Sequence, residues 1–375
     1  MLKVLEGENF LLNHISEQDV KFNVFLGFDG FIDKILKPIK IKSGSNIVPF
    51  GTMKEFSGYL GEKSGKSCSI DLETLQEKIG GNMPIAANAL GNLGCQAICV
   101  GAMGFPEINP IFHSMSNNCI MNSVSEPGYC NSLEFEDGKL MLATATHIDR
   151  LDYKKLISRI SEEALVEYFN DCDAAAFLNW GELIRSNDIW ENILRYVIPK
   201  CTFCKKKIML VDFSDFSKRK KAEVIKMLAL LKGYSNYFDI TVSLNENELS
   251  LFFDKLNLGE CDGILKHKII ALSEWFACKH FVVHLLDSSK YVKDGSVYSI
   301  EKEVIQEPKI LTGGGDNFNA GLLFGLLLGL QLEDAIRVGA GLSCLYVRDA
   351  KTVSFQKLMD YAFHSQIPRS KLLNI

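Results

Sequence analysis

Short apolar runs that alternate with longer amphipathic stretches constrain the fold of this chain more than any other feature. Residues 174–179, 207–213, 238–244 and 280–285 are apolar runs of strand length. Residues 153–169, 188–197 and 218–231 place apolar side chains at helical spacing, and further helix is expected up to Cys278. Parallel strands cannot be joined by a tight turn. Each needs a crossover, usually a helix, and strands covered on both faces read as apolar throughout. The start of the chain repeats the pattern with strands at 23–28 and 95–100 and a helix at 84–93. These runs predict an α/β fold, a doubly wound, mostly parallel sheet with helices on both faces. From Asn317 onward the chain reads as almost entirely helical.

Two segments break this rhythm. Residues 39–50 are short, β-rich and polar, and residues 120–146 alternate, with Asp137-Gly138 as a hairpin signal. The expected division is an α/β core of 1–33, 80–117 and 150–375, with a β-rich piece made from 34–79 and 118–149. Met53, Phe56 and Leu60 have helical spacing and mark an addition to that piece.

Composition narrows the function classes. The 375 residues are 47% hydrophobic and 23% charged, as in an ordinary soluble globular protein, with a net charge of −5. No sustained basic block invites a nucleic acid. Eleven scattered cysteines and a start without an apolar signal core predict reduced thiols and a cytoplasmic protein. Gly61 to Ser67 imitates a P-loop, but Leu60 stands where the first glycine is required. No G-x-G-x-x-G follows the first strand, which argues against a dinucleotide enzyme.

The chemistry is densest between Ile310 and Leu330. Gly313, Gly314 and Gly315 precede Asp316, and an apolar helical run follows. Glycines let backbone N–H groups approach an anion, and the helix start adds its positive end. A carboxylate among such donors suits a loop that holds a phosphoryl group while Asp316 takes a proton from the attacking hydroxyl. A plain turn with Asp316 as helix cap is the simpler alternative. Gly321, Gly325 and Gly329 form a smooth stripe for close packing. The apolar run is too short for a membrane span of roughly 20 residues.

TGGGDNFNAG resembles the C-terminal signature of the ribokinase-like (PfkB) carbohydrate kinases, in which GAGD is followed by a Phe and a glycine. Gly313, Gly314, Gly315, Asp316, Phe318 and Gly321 fall on the matching positions. The resemblance implies that the glycines form the anion hole and Asp316 is the base. It also implies a small β-sheet lid over the cleft. Gly80, Gly81 and Asn82, before a helix that runs to Gly94, resemble the N-terminal signature that holds the acceptor. Asp33 matches the acid that grips a sugar hydroxyl, and Asp29 is a second candidate. Asn245 and Glu248 match N-x-x-E, which organises Mg²⁺ and the phosphates, and they also read as a capping box. By the same resemblance His284 and Thr312 face the nucleotide.

Some positions depart from the family pattern. The glycines of its nucleotide loop are missing from 281–287, and Ile85 and Ile310 replace polar residues. An apolar pair there predicts an acceptor with an apolar or missing-hydroxyl edge, unless Asn82 or Asn88 restores the contacts. The expectation is a Mg²⁺-dependent kinase that moves a phosphoryl group from ATP to a sugar-like hydroxyl, with no nucleic-acid or membrane partner. Homodimerisation through the lid is expected by analogy. The rival readings are a non-catalytic ligand-binding protein of the same fold and a kinase of nucleosides or vitamins.

Overall fold

A computed structural model describes residue 17 and residues 20–44, 46–259, 264–364 and 371–372. Its centre is a ten-stranded sheet. Strand β1 (Asn23–Phe28) leads into β2 (Phe31–Ser43), β3 (Asn46–Pro49), helix α1 (Met53–Glu62) and β4 (Leu72–Gly80). Then come α2 (Asn82–Asn92), β5 (Gln96–Gly101), β6 (Cys119–Ser123), β7 (Gly128–Phe135) and β8 (Gly138–Thr144). The chain continues through α3 (Tyr153–Ile157), α4 (Glu162–Asp171), β9 (Ala174–Phe177), α5 (Ser186–Asn192), β10 (Lys207–Val211) and α6 (Lys221–Tyr234). Next are β11 (Phe238–Asn245), α7 (Glu246–Leu256), α8 (Leu265–Ser273), β12 (His280–His284), β13 (Ser288–Lys293) and β14 (Ser296–Glu301). Helices α9 (Gly314–Leu327), α10 (Leu332–Asp349) and α11 (Phe355–His364) and the short β15 (Lys371–Leu372) complete it.

The large sheet runs β15-β14-β13-β12-β11-β10-β9-β1-β5-β6 and is parallel from β12 to β6. It is the doubly wound α/β architecture that the alternating pattern predicts. Its strands are apolar on both sides because each face has its own core. Phe25, Phe28, Phe177 and Trp190 pack on one face, and Leu26, Ala176, Leu210 and Phe324 on the other.

Two departures from the sequence reading are informative. The segment 118–149 was assigned as a whole to the β-rich piece, but β6 pairs in parallel with β5 at the edge of the large sheet. Only β7 and β8 join β2, β3 and β4 in the small five-stranded sheet. The second is the antiparallel hairpin β13–β14, which sequence reasoning overlooked. Asp294 and Gly295 both have positive φ, as a two-residue hairpin turn requires. Helix α1 covers part of the small sheet through Phe56, which packs with Leu36, Phe50 and Leu133.

The glycine stripe is a helix contact. A Cβ on Gly321 would stand 2.8 Å from the Gly339 Cα, and one on Gly325 would stand 2.6 Å from the Ala335 Cα. Helices α9 and α10 therefore touch backbone to backbone. Among the described residues no helix is long and apolar enough to cross a membrane.

Candidate active site

The candidate residues gather where β1, β9, β10, β11 and β12 end, which is the usual ligand edge of an open parallel sheet. Asp29, just past β1, is fully buried. Its Oδ1 accepts from the Met83 amide (2.7 Å), and its Oδ2 accepts from the Asn82 amide and Asn179 Nδ2 (both 2.8 Å). Burial raises its pKa, and these hydrogen bonds offset part of the rise. Gly81, at φ 85°, caps α2, and a Cβ there would come within 2.7 Å of Asp29 Oδ2. Asp29 thus ties the start of α2 and Asn179 to the end of β1.

Asp33 lies on β2, 4% exposed, opposite Lys78 of β4. A Cβ on Gly80 would overlap its carboxylate, so glycine is needed there for space. Burial lifts the Asp33 pKa to about 6, against the pull of Lys78 and Lys139.

Asp212, just past β10, is a residue that sequence reasoning missed. Its Oδ1 accepts from Asn82 Nδ2 (2.9 Å) and from the Ser214 hydroxyl (3.3 Å), and its Oδ2 accepts from Asn319 Nδ2 (2.9 Å). Burial raises its pKa to about 6. The sequence signal was present: an acid directly after an apolar run, at the functional end of a parallel strand. The apolar run continues past it to Phe213, which hides the acid inside a strand-like stretch.

Helix α9 begins at Gly314, behind Gly313 at φ 93°. The Gly314 amide is already used, donating to Leu311 O (3.2 Å). The Gly315 and Asp316 amides follow in the first turn, where a helix has no acceptor of its own for them. Asp316 is half-buried as a residue, but its carboxyl is desolvated and its pKa is raised well above the usual range. Asp212, Asp29 and Asp33 push the same way, and Lys78 opposes them.

Asn245 and Glu248 form a full capping box at the β11–α7 junction. Asn245 Oδ1 accepts from the Glu248 amide (2.9 Å), while Glu248 accepts from the Asn245 amide (3.1 Å) and from Asn245 Nδ2 (2.7 Å). Glu248 is 2% exposed, and burial, followed by Asp212, raises its pKa. Among the described residues no group of three or more His, Cys, Asp or Glu side chains is arranged to hold a metal ion.

His284 stacks on Phe318 with ring centroids 4.9 Å apart, and its Nε2 is buried without a partner. Burial lowers its pKa to about 3, so the imidazole is neutral. Thr312 receives a hydrogen bond from Lys139 of β8, and its carbonyl accepts from the Tyr346 hydroxyl (3.3 Å). His284 lines a cleft of about 930 Å³ with Asn245, Leu285, Val304, Gly315 and Val347. Asn88 is occupied elsewhere: it accepts from the Ser116 amide (2.9 Å) and donates to Thr352 (3.0 Å). It is therefore not free to stand in for a lost acceptor contact.

The sequence profile of prokaryotic ketohexokinase matches residues 12–363. The chain belongs to the prokaryotic ketohexokinase family. Membership makes it a carbohydrate kinase, a phosphotransferase acting on a sugar hydroxyl. A ketohexokinase of Haloferax volcanii is 23% identical over 344 residues, covering 90% of each chain. Among solved structures, a carbohydrate kinase from Agrobacterium tumefaciens superposes with a TM-score of 0.61 at 16% identity, covering 94% of this chain and 100% of its own. An adenosine kinase from Sinorhizobium meliloti gives 0.64 at 16% identity over 92% and 99%. A ribokinase II from E. coli in complex with ATP and Mg²⁺ gives 0.61 at 12% identity over 92% and 100%. These three likenesses bear on the fold of this ketohexokinase-family chain.

Proposed function

We propose that this kinase phosphorylates a ketohexose, with ATP as donor and Mg²⁺ as the accompanying ion. The observation that carries the reading is the grouping of Asp29, Asp33 and Asp212 around Asp316 at the first turn of α9, close enough for their charges to raise its pKa. Asp316 takes the proton of the acceptor hydroxyl as its oxygen attacks the terminal phosphorus. A desolvated carboxylate is a stronger base than one in water, which suits that role. Asp33 accepts hydrogen bonds from adjacent sugar hydroxyls. Asn82 adds a polar contact while its amide group is anchored on Asp212.

On the donor side, the Gly315 and Asp316 amides and the positive end of α9 meet the transferring phosphoryl group. The neutral His284 offers a hydrogen-bonding edge in place of a glycine loop, and Leu285, Val304 and Val347 give an apolar wall for the base. Both Glu248 oxygens are engaged by Asn245, so these two residues suit an ion that arrives on the phosphates and keeps its water, as Mg²⁺ prefers. When bound, that ion neutralises phosphate charge.

A ketohexose acceptor leaves Ile85 and Ile310 without the apolar edge that the sequence reading expected. ADP release across ketohexoses, aldoses, nucleosides and vitamins tests the proposal. Preferred turnover of a nucleoside, or none at all with any acceptor, would sink it.

A further inference from the structure

The small sheet turns two different faces to its surroundings. On one face Lys34 and Glu77, opposite each other on β2 and β4, form an ion pair at 3.5 Å, with side chains 40% and 43% exposed. The next pair along, Asp33 and Lys78, points to the opposite face because side chains alternate along a strand. Cys130 of β7 is in register with Asp33 and buried, and Glu134, four residues on, shares its face. Lys139 of β8 is in register with Glu134. This face turns toward the loop before α9, because Lys139 reaches Thr312 there.

On that face the Lys78 Nζ is buried and makes no hydrogen bond. A buried ammonium without a partner is costly, and native structures keep one only where something else completes it. Burial pulls its pKa down, while Asp33 and Asp316 draw it back up. Lys78 is therefore near both the acid that grips the acceptor and the proposed base, and hydrogen-bonded to neither. A group lying between them can satisfy all three side chains at once. An acceptor hydroxyl is such a group, donating its proton to a carboxylate and accepting from an ammonium.

We propose that Lys78 is a catalytic residue of this kinase, donating a hydrogen bond to the acceptor oxygen that attacks phosphorus. The inference rests on the sugar-kinase reading above and adds a cation to it. In the step, the acceptor O–H proton passes to the Asp316 carboxylate. The acceptor oxygen forms a bond to the γ-phosphorus, and the bond from that phosphorus to the bridging oxygen breaks. The electron pair leaves with the nucleoside diphosphate. Lys78 stays protonated throughout and stabilises negative charge on the attacking oxygen. Its charge has a second use. Asp29, Asp33, Asp212 and Asp316 lie near a site that must admit a polyphosphate, and Lys78 opposes the charge of Asp33 and Asp316 while Lys139 opposes that of Asp33.

The test compares the wild-type chain with Lys78→Met and Lys78→Arg. Four quantities are measured: ketohexose kinetics with MgATP, the Kd of MgADP, the Tm, and the pH profile of kcat/KM. The expected result for Lys78→Met is a fall in kcat of about 10²–10³-fold. Its Kd for MgADP stays within about twofold of wild type. Its Tm is unchanged or higher, because an unpaired buried charge has been replaced by an apolar chain of similar length. The acid limb of the profile moves to higher pH, because the charge that holds the Asp316 pKa down is gone while Asp29, Asp33 and Asp212 remain. Lys78→Arg recovers part of kcat. The proposal is overturned if Lys78→Met keeps kcat within about threefold. It is also overturned if lost activity comes with a lowered Tm and no recovery in Lys78→Arg. If Lys78→Met fails to fold, Lys78→Gln takes its place under the same criteria. A wild-type chain that turns over no acceptor overturns the kinase reading and Lys78 together, whereas an active wild type with an indifferent Lys78→Met overturns Lys78 alone.

Discussion

Asn319 Nδ2 donates to Asp212 Oδ2 at 2.9 Å, which ties the helix bearing Asp316 to the end of the central strand β10. The other Asp212 oxygen accepts from Asn82, so one carboxylate fixes both α2 and α9. Asp212→Asn would present a donor to one of these two amide donors. A buried polar group left without its partner costs about 1–3 kcal/mol, and a corresponding loss of stability should appear in denaturant titrations. The acid limb of kcat/KM should also move to lower pH, because the Asp212 charge raises the Asp316 pKa. An unmoved limb would mean that the two carboxylates act independently.

Asp316→Asn should lower kcat by about 10²- to 10⁴-fold, the usual loss of a general base, and leave MgADP binding nearly intact. Its stability should respond to pH in a defined direction. The folded chain holds the Asp316 proton more tightly than the unfolded chain, so ionising this group disfavours the fold. That penalty is present above the raised folded pKa and fades as pH falls toward the ordinary carboxylate range near about 4. The variant should therefore melt higher than wild type in alkaline buffer, and the two curves should converge in acid. Calorimetry across pH checks this.

How much of the site could be read from the chain depends on how local each signal is. Asp316, the glycines before it and the Asn245–Glu248 box are contiguous patterns, and their positions were legible. The hydrogen bonds of Asp29 were not legible, since its partners Met83 and Asn179 are far away in sequence. Asp212 carried a local signal, an acid directly after an apolar run, but its partners Asn82 and Asn319 are far away in sequence, and Lys78 acquires meaning only when β4 meets β2. Strand β6 is a half-exposed edge with mixed residues, and its pattern carries too little contrast to assign it to a sheet. The β13–β14 hairpin is a different case. Asp294-Gly295 is as strong a turn signal as Asp137-Gly138, and the sequence reading leaves the stretch around it unassigned.

Glu248→Gln should raise the Mg²⁺ concentration needed for half-maximal velocity more than it alters the acceptor KM. Glutamine still fits the third position of a capping box, so α7 should keep its start. A titration with unchanged metal dependence would leave Glu248 as a cap alone.

Deoxy and methylated ketohexoses should distinguish the two accounts of Ile85 and Ile310. If the acceptor meets the protein through Asp33 and Asn82, unmodified ketohexose should reach the usual kcat/KM of about 10⁴–10⁸ M⁻¹s⁻¹. Analogues lacking a gripped hydroxyl should then fall well below it. Better turnover of an analogue with a methyl or missing hydroxyl would restore the apolar-edge expectation.

The backbone contact between α9 and α10 limits how this sequence can drift. A side-chain carbon at 321 would run into Gly339, and one at 339 would stand 2.7 Å from the Phe318 carbonyl, so neither position can change before the other makes room. No neighbour can make that room, because what stands in the way is main chain. The two helices are thus frozen as a pair, and any residue with a side chain at 321 or 339 would force them apart.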